Sequence, residues 1–189
     1  MTTTRLGRAE RRESILDGAT RAFASGGYAA TSMQDIAEAA SITPLIVYRH
    51  FDSKNALYRA TLDRVCRSLG DEFGAAPDGG VLGVGAGSVL VAARRDPDGF
   101  RLLWRHAARE PEFARYADDL RNRATRAVRA ALGDRVPRQA LPWAAHATIG
   151  YLVESVLTWL EFGDPGHDEA FVKATNAALR AGVRSWSAT

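Results

Sequence analysis

Residues 31–54 read TSMQDIAEAASITPLIVYRHFDSK, and this stretch decides the fold. Ser32 precedes a helical pattern with Asp35 three residues on, a hydroxyl cap followed by a carboxylate at the positive end of the helix dipole. Met33, Ile36, Ala37 and Ala40 recur at i, i+3, i+4, i+7 and form one apolar stripe. A second helix starts at once, with Thr43 in the cap position and Pro44 at the first helical position, where its missing N–H costs nothing. Val47 and Phe51 share the face that packs inward, while Leu45, Ile46, Tyr48, Arg49 and His50 are left mostly outside. Two short helices joined by a tight turn imply a helix-turn-helix, whose second helix enters a DNA major groove.

Outward from this stretch the chain reads as helix after helix, with no strand-like alternation and no repeat. A first helix over about 8–25 turns Ile15, Ala19, Ala22 and Phe23 inward and ends at Gly26-Gly27. Ser53 caps a fourth over 54–73, carrying Leu57, Thr61, Val65 and Leu69 on one side. The sequence GAAPDGG at 74–80 marks a break, and a fifth helix spans about 81–95. Asp96-Pro97 opens the sixth, where Phe100, Leu103, Trp104, Ala107 and Ala108 make a core stripe. A seventh, about 111–132, ends at Gly133 and turns Phe113, Ala117, Leu120, Ala124 and Val128 to one side. The eighth, about 138–162, is apolar nearly all round and so needs cover on more than one side. The ninth follows Asp164-Pro165 and carries Ala170, Ala174, Ala178 and Ala181 near one face. The expectation is an all-α chain of about nine helices. It divides into a helix-turn-helix head over 1–53, a connecting helix over 54–73 and a larger unit over 74–189.

The head resembles one known family, the TetR-type (TetR/AcrR) transcriptional repressors. The resemblance runs from Arg12-Glu13-Ser14-Ile15-Leu16 through Ala22-Phe23, Gly26-Gly27-Tyr28 and Thr31-Ser32. It continues through Asp35-Ile36-Ala37, Ala40, Ile42-Thr43, Tyr48-Arg49-His50-Phe51 and Ser53-Lys54 to Leu57. Two positions depart from the family habit: Ser41 replaces the usual turn Gly, and Leu45 replaces a Gly common in the recognition helix. Ser in a left-handed turn costs about 1 kcal/mol more than Gly, which adjusts the turn without abolishing it. The resemblance implies a homodimer through the last two helices, joined as a four-helix bundle. It also implies a small-molecule effector cavity in the helical core. A two-fold copy would independently cover the apolar excess of the eighth helix, although that helix also reads as the centre of a monomer core.

Composition sets the outer bounds. The chain has 189 residues, 46% hydrophobic and 25% charged, which is ample for a buried core. A single cysteine, Cys66, excludes an internal disulfide and suits a reducing compartment. No signal peptide is read at the polar, Arg-rich start. The apolar run Val81 to Ala93 is too short for a membrane span and is broken by Gly83, Gly85 and Gly87. The reading is a cytoplasmic protein with no membrane contact. Net charge is +3, and Arg5, Arg8, Arg11 and Arg12 crowd the start, as a DNA-reaching arm or as a solvated tail.

Enzyme chemistry finds no foothold. Gly83 to Ser88 has neither a strand before it nor the G-x-G-x-x-G or Gly-Lys-Ser/Thr pattern of a phosphate loop. The four histidines are scattered and Cys66 has no partner at ligand spacing, so neither metal nor cofactor is expected. The positive case is DNA. Thr31 and Ser32 sit at a helix start suited to a phosphate. Tyr48, His50 and Lys54 read as backbone positioners, Tyr48 and Lys54 partly on the family resemblance, with packing inside the head as the other reading of Tyr48. Arg49 suits either a guanine or a phosphate. Leu45 and Ile46 suit thymine methyls and so A·T-containing positions, unless Ile46 turns inward. Thr43 and Pro44 complete the recognition-helix start.

For the effector the candidates are Trp104, Tyr116, Trp143, His146, Tyr151, Glu154 and Trp159. The aromatics serve equally as core or dimer contacts. Glu154, between Val153 and Val156, faces a cavity, a cationic ligand or an Arg, or else solvent at a rim. The sequence reads as a ligand-responsive dimeric regulator, most simply a repressor on a pseudo-palindromic operator. The alternatives are a helical interaction module and an architectural DNA-binding protein without an effector.

Overall fold

A computed structural model describes residues 7–75 and 85–187. Arg5, Gly83 and the greater part of the expected break at 74–80 lie outside these residues, as does the start of the expected fifth helix. Among the described residues the fold is all-helical, with nine α-helices. They are α1 (Arg8–Ala30), α2 (Met33–Ala39), α3 (Pro44–Tyr48), α4 (Lys54–Ala75), α5 (Ala86–Arg95), α6 (Pro97–Arg101), α7 (Ala114–Leu132), α8 (Leu141–Phe162) and α9 (Asp168–Ser187). No helix among them is long and apolar enough to cross a membrane.

Each helix boundary has a local cause. Ser32 caps α2 by accepting from the Asp35 amide at 3.1 Å, and the Ser32 amide donates back to Asp35 Oδ2 at 2.7 Å. Ser53 Oγ accepts the Ala56 amide at the start of α4. Asp96 accepts the Gly99 amide at 2.8 Å ahead of α6, and Gly133, at φ 46°, ends α7. Two expectations shift. The first helix runs on to Ala30, because Gly27 leaves helical geometry (φ 70°) for one residue and the chain then resumes. The sixth helix is not uniform: α6 widens into a π-helical turn over Leu102–His106 and tightens into a 3₁₀ turn over Ala107–Arg109. Leu102, Leu103 and Trp104 of the π turn are all buried. Arg8, Arg11 and Arg12 belong to the opening turns of α1, so this part of the basic run is helical rather than a loose arm.

One apolar cluster extends without interruption from Ile15 and Phe23 through Leu57, Leu62 and Leu69 into Leu103, Leu152 and Val156. The centre of the junction is aromatic. Tyr58 on α4 meets Phe23 and Phe113 edge-on, both with ring centroids at 4.6 Å, and Tyr28 at 4.9 Å. Arg64 ties α4 to α1 by pairing with Asp17 and donating to Thr20 Oγ1 at 2.9 Å. At the far end Arg94 on α5 forms a two-pronged pair with Asp168, at 3.0 and 2.8 Å, and Trp159 Nε1 donates to the same carboxylate at 2.6 Å. Arg94 and Trp159 together hold the Asp168 carboxyl below its ordinary pKa, and three helices meet at it.

Candidate nucleic-acid interface and core cavity

The turn between α2 and α3 is built by backbone geometry. The Ile42 amide donates to Ala37 O and the Ser41 amide to Glu38 O, both at 2.9 Å, which is the two-bond Schellman closure of a helix. That closure needs a left-handed residue, and Ser41 supplies it at φ 54°. Gly18 on α1 lets the turn sit close: a Cβ there would lie 2.7 Å from Ala40 Cβ and 2.8 Å from its backbone nitrogen. Arg21 on α1 donates to Ala39 O and fixes the end of α2. The packing of α1 therefore sets the angle at which α3 is presented.

On α3, Val47 is fully buried, and Phe51, just beyond its end, is nearly so, the two facing inward as the spacing predicts. The opposite side is open, with Leu45 62% and Tyr48 54% exposed, and Thr43 and Arg49 exposed beside them. Thr43 occupies the cap position in backbone geometry, yet its hydroxyl makes no cap bond. Ile46, Pro44 and His50 are half-buried. Arg8, Arg11 and Arg12 of α1 lie near His50; its removal from water, then their three charges, hold the imidazole below its ordinary 6.5. The face beside α3 is thus cationic.

Two residues expected at this face do other work. Thr31 is buried, and its hydroxyl donates to Gly27 O at 2.7 Å, closing the kink in α1 instead of meeting a phosphate. Lys54 Nζ donates to Tyr28 O at 2.8 Å, Thr31 O at 3.0 Å and Ala29 O at 3.4 Å, and lies 4.5 Å from the Tyr28 ring centre. All the protons of its ammonium group are therefore spent on the carbonyl end of α1. Ser32 remains exposed at the start of α2.

The larger unit contains a cavity of about 210 Å³ between α4, α5, α7 and α8. Val89, Leu120, Ile149 and Leu152 are its buried walls, with Trp104 from the π turn; Gly70, Arg123, Ala124, Ala127 and Val153 complete the lining. Of the seven expected effector residues only Trp104 lines it. Tyr116 is buried behind a neighbouring polar groove with Cys66 and Arg115. Trp143, His146 and Tyr151 are exposed on the outer side of α8, where Trp143 meets Trp186 edge-on. Glu154 is exposed too, and Arg105 pairs with it at 3.0 Å, so its carboxylate is not buried facing a cavity. Trp159 stacks on Phe171 and is held by Asp168. The lining escaped sequence reading because a cavity is made by side chains that are too small, here Gly70, Ala124 and Ala127, and small residues equally mean close packing.

The head presents, on the second helix of its helix-turn-helix, a polar and aliphatic face beside a cationic helix, which is the form of a helix-turn-helix DNA-binding surface. Residues 15–61, the head and the start of α4, match the family described as bacterial regulatory proteins, tetR family. It is 43% identical over 60 residues to the transcriptional activator FasR of Mycolicibacterium smegmatis, covering 32% of this chain and 27% of that protein. It is 42% identical over 69 residues to the repressor KstR2 of Rhodococcus jostii, covering 36% and 32%. The matched part thus spans about a third of these relatives, 27% and 32% of their lengths. Over the whole chain the fold is that of a TetR-like regulator from Rhodococcus sp. RHA1, with TM-score 0.80, 22% identity and coverage of 95% of this chain and 98% of that one. A tetR-family regulator from Streptomyces coelicolor matches with TM-score 0.68 and 26% identity over 96% and 85%.

Proposed function

We propose that this protein is a ligand-responsive transcription regulator that binds a pseudo-palindromic operator as a homodimer and, acting as a repressor, leaves it when an effector fills the core cavity. The observation that carries the reading is the division of α3. Val47 and Phe51 anchor it, while Thr43, Leu45, Tyr48 and Arg49 face outward together. Arg49 supplies a bidentate donor, and Leu45, open at 62%, supplies apolar contact to thymine methyls. Tyr48, Ser32 and His50 position the backbone. Two heads on a dimer place their α3 helices about one helical turn apart, roughly 34–36 Å, or a multiple of it. Dimer formation is supported by the open side of α8, where Trp143, Tyr151 and Phe162 are exposed, next to the exposed Ala174, Ala178 and Ala181 of α9. The head is taken to end at residue 53 and α4 to connect it to the remainder. Such a regulator works in the cytoplasm.

Selection of bound duplexes from a random pool, at low and at raised salt, tests this directly. A palindrome that survives raised salt, with A·T pairs opposite Leu45, is the expected result. Enrichment of no motif, or binding that vanishes with salt, would reduce the interaction to counterion release and leave a helical interaction module.

A further inference from the structure

The core cavity has a chemical bias that its size alone does not convey. Its walls are aliphatic except at two places. Trp104 is 6% exposed, and its indole Nε1 is buried with no hydrogen-bond partner. Arg123, on the exposed side of α7, is the one charged group in the lining among the described residues, and no carboxylate among those residues lies within 4 Å of it in an ion pair. Arg121 adds a second guanidinium 5.3 Å from the Trp104 ring centre. Asp63, Asp71 and Asp119 line the adjoining groove with Arg67, Arg115 and Arg123 itself, which stands between the two, and these carboxylates do not line the cavity.

Trp104 Nε1 is already enclosed and unpaired in this structure, at a cost of about 1–3 kcal/mol that only a ligand with an acceptor, reached by a small turn of the indole, would relieve. A cationic ligand would meet a guanidinium and no carboxylate. About 210 Å³ also falls below the roughly 300–1,000 Å³ of sites for drug-sized molecules. Building on the effector reading above, we infer that the cavity takes a small apolar monocarboxylate. Its hydrocarbon body lies against Val89, Ile149 and Leu152, Trp104 donates to one of its oxygens, and Arg123 balances its charge at the mouth.

The test uses the full chain and three matched probe sets: octanoate and phenylacetate, their alcohols 1-octanol and 2-phenylethanol, and the amines octylamine and phenethylamine. Calorimetric titration and thermal shift read affinity, and release of the selected operator reads response. The acids should bind about tenfold or more tighter than the alcohols, the increment of one charge-assisted hydrogen bond, and the amines should not bind. Arg123→Gln should erase the preference by weakening the acids alone. Trp104→Phe, which keeps the ring and removes the donor, should weaken acids and alcohols alike. If Trp104→Phe fails to fold, Arg123→Gln on the exposed rim decides. Alcohols that bind as well as acids, a preference that survives Arg123→Gln, or no binding by any probe would each overturn the proposal. Operator binding measured without probes tells the two failures apart: an operator bound with no acid bound sinks this inference and leaves the regulator, and the reverse sinks the regulator.

Discussion

Ser41 and His50 each sit in a conformation or a field that works against them. At φ 54° Ser41 bears the left-handed strain of a non-glycine residue while its side chain faces solvent, so removing Cβ relieves strain at no packing cost. Ser41→Gly should stabilise the fold by about 0.5–1 kcal/mol after the added freedom of the unfolded chain is counted, raising the melting midpoint by roughly 1–4 °C. A lowered midpoint would mean the Ser41 side chain makes a contribution this geometry lacks. His50 is held below 6.5 by desolvation first and by Arg8, Arg11 and Arg12 after it. As pH falls through 6.5 the unfolded chain therefore takes the proton first and the fold loses stability, while above that value His50 is neutral in both states. A bound phosphate reverses the sign by favouring the imidazolium. Operator affinity should rise as pH falls from about 7.5 to about 6, with proton uptake on binding, and His50→Gln should flatten the profile. A profile unchanged in the variant would remove His50 from the interface.

At the scale of elements, two contacts decide how α3 is aimed and how the head meets the body. Gly18→Ala would push a methyl group to 2.7–2.9 Å from the Cβ and backbone of Ala40, which are not free to swing away. The turn must shift, at about 1–3 kcal/mol, and operator affinity should fall further than the melting midpoint alone accounts for. Equal loss in both would show that the turn keeps its aim. The second contact is His106, whose Nε2 lies 2.9 Å from Ala24 O on α1, two residues from Trp104 in the same π turn. One turn thus touches the cavity and the head. His106→Ala should leave operator binding within a few-fold and abolish release by a cavity ligand; release at wild-type ligand concentrations would show that coupling runs elsewhere. These elements also show what the sequence could convey. The head was legible because caps, a proline and an i, i+4 apolar pair are local signals. The π turn, the cavity and the diversion of Lys54 to the end of α1 were not, because each depends on which distant helix arrives beside it. Glu154 shows the same limit: flanking apolar residues placed it on α8, and only Arg105, from the π turn, reveals that its side faces outward.

For the whole molecule the governing quantity is the apolar surface one chain leaves uncovered. Along the outer side of α8, Trp143, Tyr151 and Phe162 are 50%, 40% and 79% exposed, and a Cβ on Gly150 would meet open space. Scattered singly, such residues would need no explanation; aligned on one helix and flanked by the alanines of α9, they form a patch that the proposed second copy would cover by two-fold symmetry. Operator recognition raises the stakes, because the second head then binds at an effective concentration set by the dimer, a gain of about 10²–10⁴ over one head. Tyr151→Glu combined with Phe162→Glu places carboxylates at the centre and end of that patch without touching the core, since both side chains are already exposed. The variant should sediment as a monomer with unchanged helical content. It should lose full-operator affinity by a factor within that range and bind a half-operator as the native protein does. A variant that remains dimeric would move the interface off α8, and a native protein that sediments as a monomer at micromolar concentration would force the operator to be read by one head alone.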